Sequence, residues 1–129
     1  MSKTLLLFGF EDLPAIAAAD SAAKACGAEI RPVLPKDYHQ TLGALSGVRK
    51  PRPNTPIYAG GTLGGRLIVF CGLGESELDV ALRTLRERGI GPDCYKAVLT
   101  AHNRDWSVLE LFRELQQERL ELGRMGGRA

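Results

Sequence analysis

The chain has only three cysteines, Cys26, Cys71 and Cys94, and no Cys-x-x-Cys pair among them. An odd number of scattered thiols without a secretory signal excludes a disulfide framework and reads as reduced cysteine in a cytoplasmic protein. Histidine is scarcer still. His39 and His102 stand at no metal-ligand spacing from thiols or carboxylates, so no metal site is expected. No run approaches the roughly 20 apolar residues of a membrane span. The apolar start from Leu5 to Phe10 is shorter than a signal-peptide core, and Glu11 and Asp12 follow it at once, so neither targeting nor a membrane partner is expected. The net charge of +2 is too small to dictate a nucleic-acid partner. Gly72-Leu73-Gly74 lacks the third glycine of a dinucleotide fingerprint and the Gly-Lys-Ser/Thr of a P-loop, so no cofactor is expected either.

What remains is an ordinary globular composition. With 44% hydrophobic and 25% charged residues in a length of 129, the chain can bury a core and is read as one domain, 1–129. Its clearest pattern occurs twice. An apolar run ending in glycine, Leu5-Leu6-Leu7-Phe8-Gly9, leads to a helix-length segment, a glycine and a second run from Glu29 to Leu34; Ile68-Val69-Phe70-Cys71-Gly72 opens the same series, which reaches Tyr95 to Thr100. Two strand–helix–strand–helix units are implied, at 4–46 and 66–122, joined by a loop at 47–65 and followed by a loose tail at 123–129.

The first helix is expected from about 12 to 26, with Pro14 in its first turn and Gly27 as its stop. Pro32 cannot donate to a ladder and places the second strand at an edge. A short second helix from Lys36 to Ser46, capped by Asp37, fits the spacing of Tyr38, Leu42 and Leu45. The loop carries Pro51, Pro53, Pro56 and the run Gly60 to Gly65, and is read as a lid over a site or as a minor strand at Pro56–Ala59. Leu78, Ala81, Leu82 and Leu85 keep helical phase ahead of Gly89, and Val108, Leu111, Phe112, Leu115 and Leu122 form the stripe of a last helix.

Alternating strands and helices predict an α/β fold with a four-stranded, mainly parallel sheet in the order 2-1-3-4 and helices on both faces. In such a sheet a ligand crevice opens at the carboxyl ends of strands 1 and 3. Gly9, Phe10, Gly72 and Leu73 are the candidate ligand-binding residues there. Glu11 and Asp12, like Glu75, Glu77 and Asp79, put negative charge at a helix start and argue against an anionic ligand.

The segment Lys96-Ala97-Val98-Leu99-Thr100, followed by Asn103 and Trp106, adds Thr100, Asn103 and Trp106 to the candidate binding set. Ser107 and Glu110 have capping-box spacing, and Trp106 before them suits a hydrophobic staple against Leu111; Asn103 suits a turn. The pattern Lys-Ala-Val-Leu-Thr-x-x-Asn-x-x-Trp resembles a family of small, uncharacterised bacterial proteins classed as a domain of unknown function, over Leu67 to about Glu118. The resemblance implies a compact α/β domain and supplies no activity or cofactor.

The function expected from the residues is a non-catalytic domain that binds a small molecule or protein, or self-associates through the last helix or an edge strand. One alternative is a small enzyme using His102, Asp105 and Cys71 as base, orienter and nucleophile. A second is weak nucleic-acid binding through Arg49, Lys50 and Arg52, although no aromatics accompany them.

Overall fold

The computed structural model describes residues 3–48, 50–51, 55–61 and 63–126, the last four by their backbone alone. The chain forms β1 (Thr4–Phe8), α1 (Leu13–Ala25), β2 (Glu29–Val33), a 3-10 turn at Pro35–Asp37, α2 (Leu42–Ser46), β3 (Leu67–Cys71), α3 (Glu75–Glu87), β4 (Tyr95–Val98) and α4 (Val108–Gly126). The strands make one four-stranded sheet in the order β2-β1-β3-β4, as the doubled pattern predicts. β1 and β3 are buried at every residue and occupy its centre.

Side chains alternate between the two faces of a strand, so each central strand feeds two cores. Leu5, Leu7, Ile68 and Phe70 face α1 and α3, where the alanines Ala15, Ala18, Ala19 and Ala22 let the helices approach closely. Leu6, Phe8, Leu67, Val69 and Cys71 face the other way, onto Tyr38, Leu42, Val108, Leu111 and Phe112. Helices therefore cover both faces, which is why neither central strand shows a polar alternation.

Within each unit the strands are parallel, β1 to β2 and β3 to β4. The two central strands, however, run antiparallel, with Thr4 opposite Cys71, Leu6 opposite Val69 and Phe8 opposite Leu67. This removes the expected crevice at the shared carboxyl ends of strands 1 and 3, because those ends lie at opposite ends of the central strand pair. Among the described residues, the connection over 34–66 holds only the 3-10 turn and the five-residue α2, and so builds no strand-length helix of the kind that usually returns a chain for parallel pairing. Without that return, the chain enters β3 at the end where β2 has finished.

Other differences are local. Thr41, not Asp37, caps the second helix, accepting the Ala44 N–H at 3.2 Å. Asp37 instead closes the 3-10 turn, and helical phase at Tyr38 is lost. Residues 55–59 make no strand; the Tyr58 N–H donates to the Lys36 carbonyl and its ring packs 5.6 Å from that of Tyr38. β4 ends at Val98 rather than Thr100. α4 continues to Gly126, into the segment read as a tail. Residues 52–54, with Pro53, lie outside the described residues, as do 49, 62 and 127–129.

Candidate functional site

The antiparallel centre gives the sheet two different ends. At one, β1 runs out into Gly9 and Phe10 beside Arg66, which leads into β3. At the other, β3 runs out into Gly72 and Leu73 beside Lys3, which leads into β1. Gly9 and Phe10 are thus separated from Gly72 and Leu73 by the length of the central strands.

At the Gly72 end, the Lys3 ammonium reaches the Glu77 carboxylate in the first turn of α3. The Gly74 N–H donates to the other oxygen at 2.8 Å. Lys3, followed by this N–H, holds the Glu77 carboxyl below its usual range. The helix start is filled by the chain's own acid.

The Gly9 end is more open. α1 has no acidic residue in its first turn and is capped by Asp12, which accepts the Ala15 N–H at 3.1 Å. Gly9 has φ +76°, and a side chain there would come within 2.6 Å of the Gly65 carbonyl oxygen. Only glycine permits this approach. Around it lies an open cleft of about 420 Å³ lined by Gly9, Glu11, Asp12, Gly64, Gly65, Arg66 and Asp93. Arg66 leans over the Phe10 ring, 5.7 Å from its centroid, and lies 3.7 Å from the Asp93 carboxylate. Three carboxylates against one guanidinium make the cleft a better host for a cation than for an anion. Gly64 and Gly65 of the glycine run border this cleft. The signal missed in the sequence was Arg66 with Asp93, residues that only the β3–β4 pairing brings together.

Thr100, Asn103 and Trp106 belong to the turn between β4 and α4. Asn103 is 8% exposed. Its Oδ1 accepts the Thr100 N–H at 2.9 Å, its Nδ2 donates to the Val98 carbonyl at 3.0 Å, and its own N–H donates to Thr100 Oγ1 at 3.2 Å. These bonds hold the turn and occupy the polar groups a ligand would use. Ser107 and Glu110 form the expected capping box, each N–H donating to the other's side chain at 3.2 Å. Half-buried Trp106 joins Leu111 in the α4 core and meets the His102 ring edge-on at 5.1 Å. The two units also meet here: Thr41 and Ser107, the caps of α2 and α4, form an antiparallel bridge, with the Leu42 N–H donating to Trp106 O at 2.9 Å.

Cys71 is 1% exposed, and burial pushes its thiol up to about 11. At neutral pH about one molecule in ten thousand would carry the thiolate. His102 is exposed on the turn, so the set His102, Asp105 and Cys71 lacks a ready nucleophile. No group of three or more His, Cys, Asp or Glu that could hold a metal occurs among the described residues. No helix there is long and apolar enough to cross a membrane. Of the basic loop, Arg49 and Arg52 lie outside the described residues.

No curated protein and no solved structure matches the chain. Residues 66–122, which take in β3, α3, β4 and most of α4, match a family model described as a domain of unknown function (DUF3783).

Proposed function

We propose that this is a non-catalytic cytoplasmic domain that binds a small cationic ligand, or the basic group of a partner, in the cleft at the carboxyl end of β1. Gly9 and Phe10 of the expected set line the entrance or hold Arg66, and Glu11 and Asp93 supply the charge. The carrying observation is that cleft itself: about 420 Å³, kept open by glycine backbone at Gly9, Gly64 and Gly65, with Arg66 positioned by Phe10 and Asp93. The anti-anionic reading of the helix start is consistent with it.

Titration calorimetry and thermal shift with putrescine and with L-arginine test the proposal. Binding to the wild type that weakens at least tenfold in a Glu11→Gln, Asp93→Asn variant of unchanged melting temperature supports it. Absence of heat and of shift at millimolar probe contradicts it.

The two strand–helix–strand–helix units are further proposed to be an internal repeat in one domain. The register is symmetric about Leu6 and Val69, and the equivalent caps Thr41 and Ser107 face each other across the same approximate two-fold relation.

A further inference from the structure

The two outer strands of the sheet are treated differently. β2 carries Pro32, which cannot donate to a neighbouring strand, and the Arg31 guanidinium bonds the Leu45 carbonyl beside it at 2.7 Å. β4 has no proline. Its Tyr95 and Leu99 N–H groups donate to Arg66 and Phe70 of the β3 side at 2.8 and 2.9 Å. By the two-residue alternation of a ladder, the Lys96 and Val98 N–H groups then point away from β3. The outward Val98 carbonyl is taken by Asn103 Nδ2, and the Lys96 ammonium turns back onto the Gly91 and Cys94 carbonyls, both at 3.0 Å. Among the described residues β4 pairs only with β3. The free edge is therefore short and defined: the N–H and C=O of Lys96 and the N–H of Val98.

A groove flanks this edge on each face of the sheet. On the α3 face, Leu82, Arg86, Gly91, Pro92 and Lys96 line about 310 Å³. On the α4 face, Tyr95, Arg113, Gln116, Gln117, Arg119 and the 61% exposed Leu120 line about 350 Å³. An extended chain lying along β4 would send successive side chains alternately into the two grooves. Four cations line them and no carboxylate does; Arg119 lies over the Tyr95 ring, 3.6 Å from its centroid, and donates to the Pro92 carbonyl at 2.8 Å, and no ion pair holds any of the four among the described residues.

We propose that β4 is a docking edge for an extended, acidic segment of a partner protein, paired through the Lys96 and Val98 backbone, with apolar side chains against Leu82 and Pro92 and carboxylates against Arg113 and Arg119. A second copy of this chain would bring the same four cations onto themselves, so the charge selects an acidic partner over self-pairing. This edge is separate from the Arg66 cleft and does not depend on a ligand there.

The probe is a labelled ten-residue peptide alternating Glu and Leu, followed by fluorescence anisotropy and by hydrogen exchange of the full-length protein at about physiological ionic strength. The expected result is saturable binding, slower exchange at the Lys96 and Val98 amides, and a loss of at least tenfold in affinity in the surface variant Arg113→Glu. A version of the peptide N-methylated at alternate residues should bind at least tenfold more weakly. Three results overturn the proposal: no binding of the acidic peptide; binding that leaves the two amides unprotected, which is charge attraction alone; or protection of those amides by concentration-dependent dimerisation without peptide.

Discussion

Asn103 shows how much one side chain can hold. It joins Thr100, closes the carbonyl edge of β4 at Val98 and is nearly buried. Asn103→Ala should cost about 1–2 kcal/mol in denaturant unfolding, because the mutation deletes two side-chain hydrogen bonds from a buried position, while the exposed Thr100 and Val98 backbone groups they served can turn to water. Gly9 and Gly27 offer a matched comparison, since both have positive φ but only Gly9 has a backbone oxygen in the way. Gly27→Ala should cost about 1 kcal/mol and Gly9→Ala at least about 2; equal losses would remove the close approach of Gly65. Cys71 bears on pH. Its folded thiol is raised to about 11 from an ordinary value near 9, so the folded state keeps a proton that the unfolded state releases. Its contribution to stability is complete below pH 9 and is lost as the pH rises through 11. Unfolding curves in Cys71→Ser should show a shallower alkaline decline, the remainder belonging to Cys26, Cys94 and Tyr38, which burial also raises, and Cys71 should resist thiol reagents at pH 8 until the protein unfolds. The turn role of Asn103 was readable from residue type; that its amide also closes an edge strand was not, because nothing local reveals which carbonyls lack a neighbour.

Elements were legible in proportion to their length and caps. α3 follows from a stripe of leucines stopped by Gly89, and the start of α4 from Ser107 and Glu110, both local signals that tertiary contacts only reinforce. The short α2 was misread because Tyr38 and Leu42 are both fully buried for unrelated reasons, one from a 3-10 turn and one from a helix, and their spacing merely resembles helical phase. Thr41 with Ala44 was the better cap. At α4, Ser107→Ala should cost about 1 kcal/mol. Trp106→Ala should cost about 2 kcal/mol, below a fully buried aromatic, since the ring is only half covered. A negligible loss at both would leave the entry into α4 without its proposed anchors.

At the scale of the molecule, strand order was legible and direction was not. Pro32 put β2 at an edge, and apolar runs put β1 and β3 at the centre, but an apolar strand reads the same in either direction. The first unit builds only the short α2 between β2 and β3 where a parallel crossover usually has a full helix, and the proline- and glycine-rich segment after it carries no periodicity from which a direction could be read. The consequence is functional: one expected crevice becomes two separate ends, one filled by Lys3 and Glu77, the other open around Arg66 and Asp93. The placement of the proposed cleft depends on this arrangement. It is tested most directly by proton NMR contacts between the central strands. The account predicts Hα–Hα cross-peaks at alternate facing pairs in a register centred on Leu6 and Val69, with Thr4 near Cys71 and Phe8 near Leu67; contacts placing Thr4 near Leu67 and Phe8 near Cys71 would contradict it.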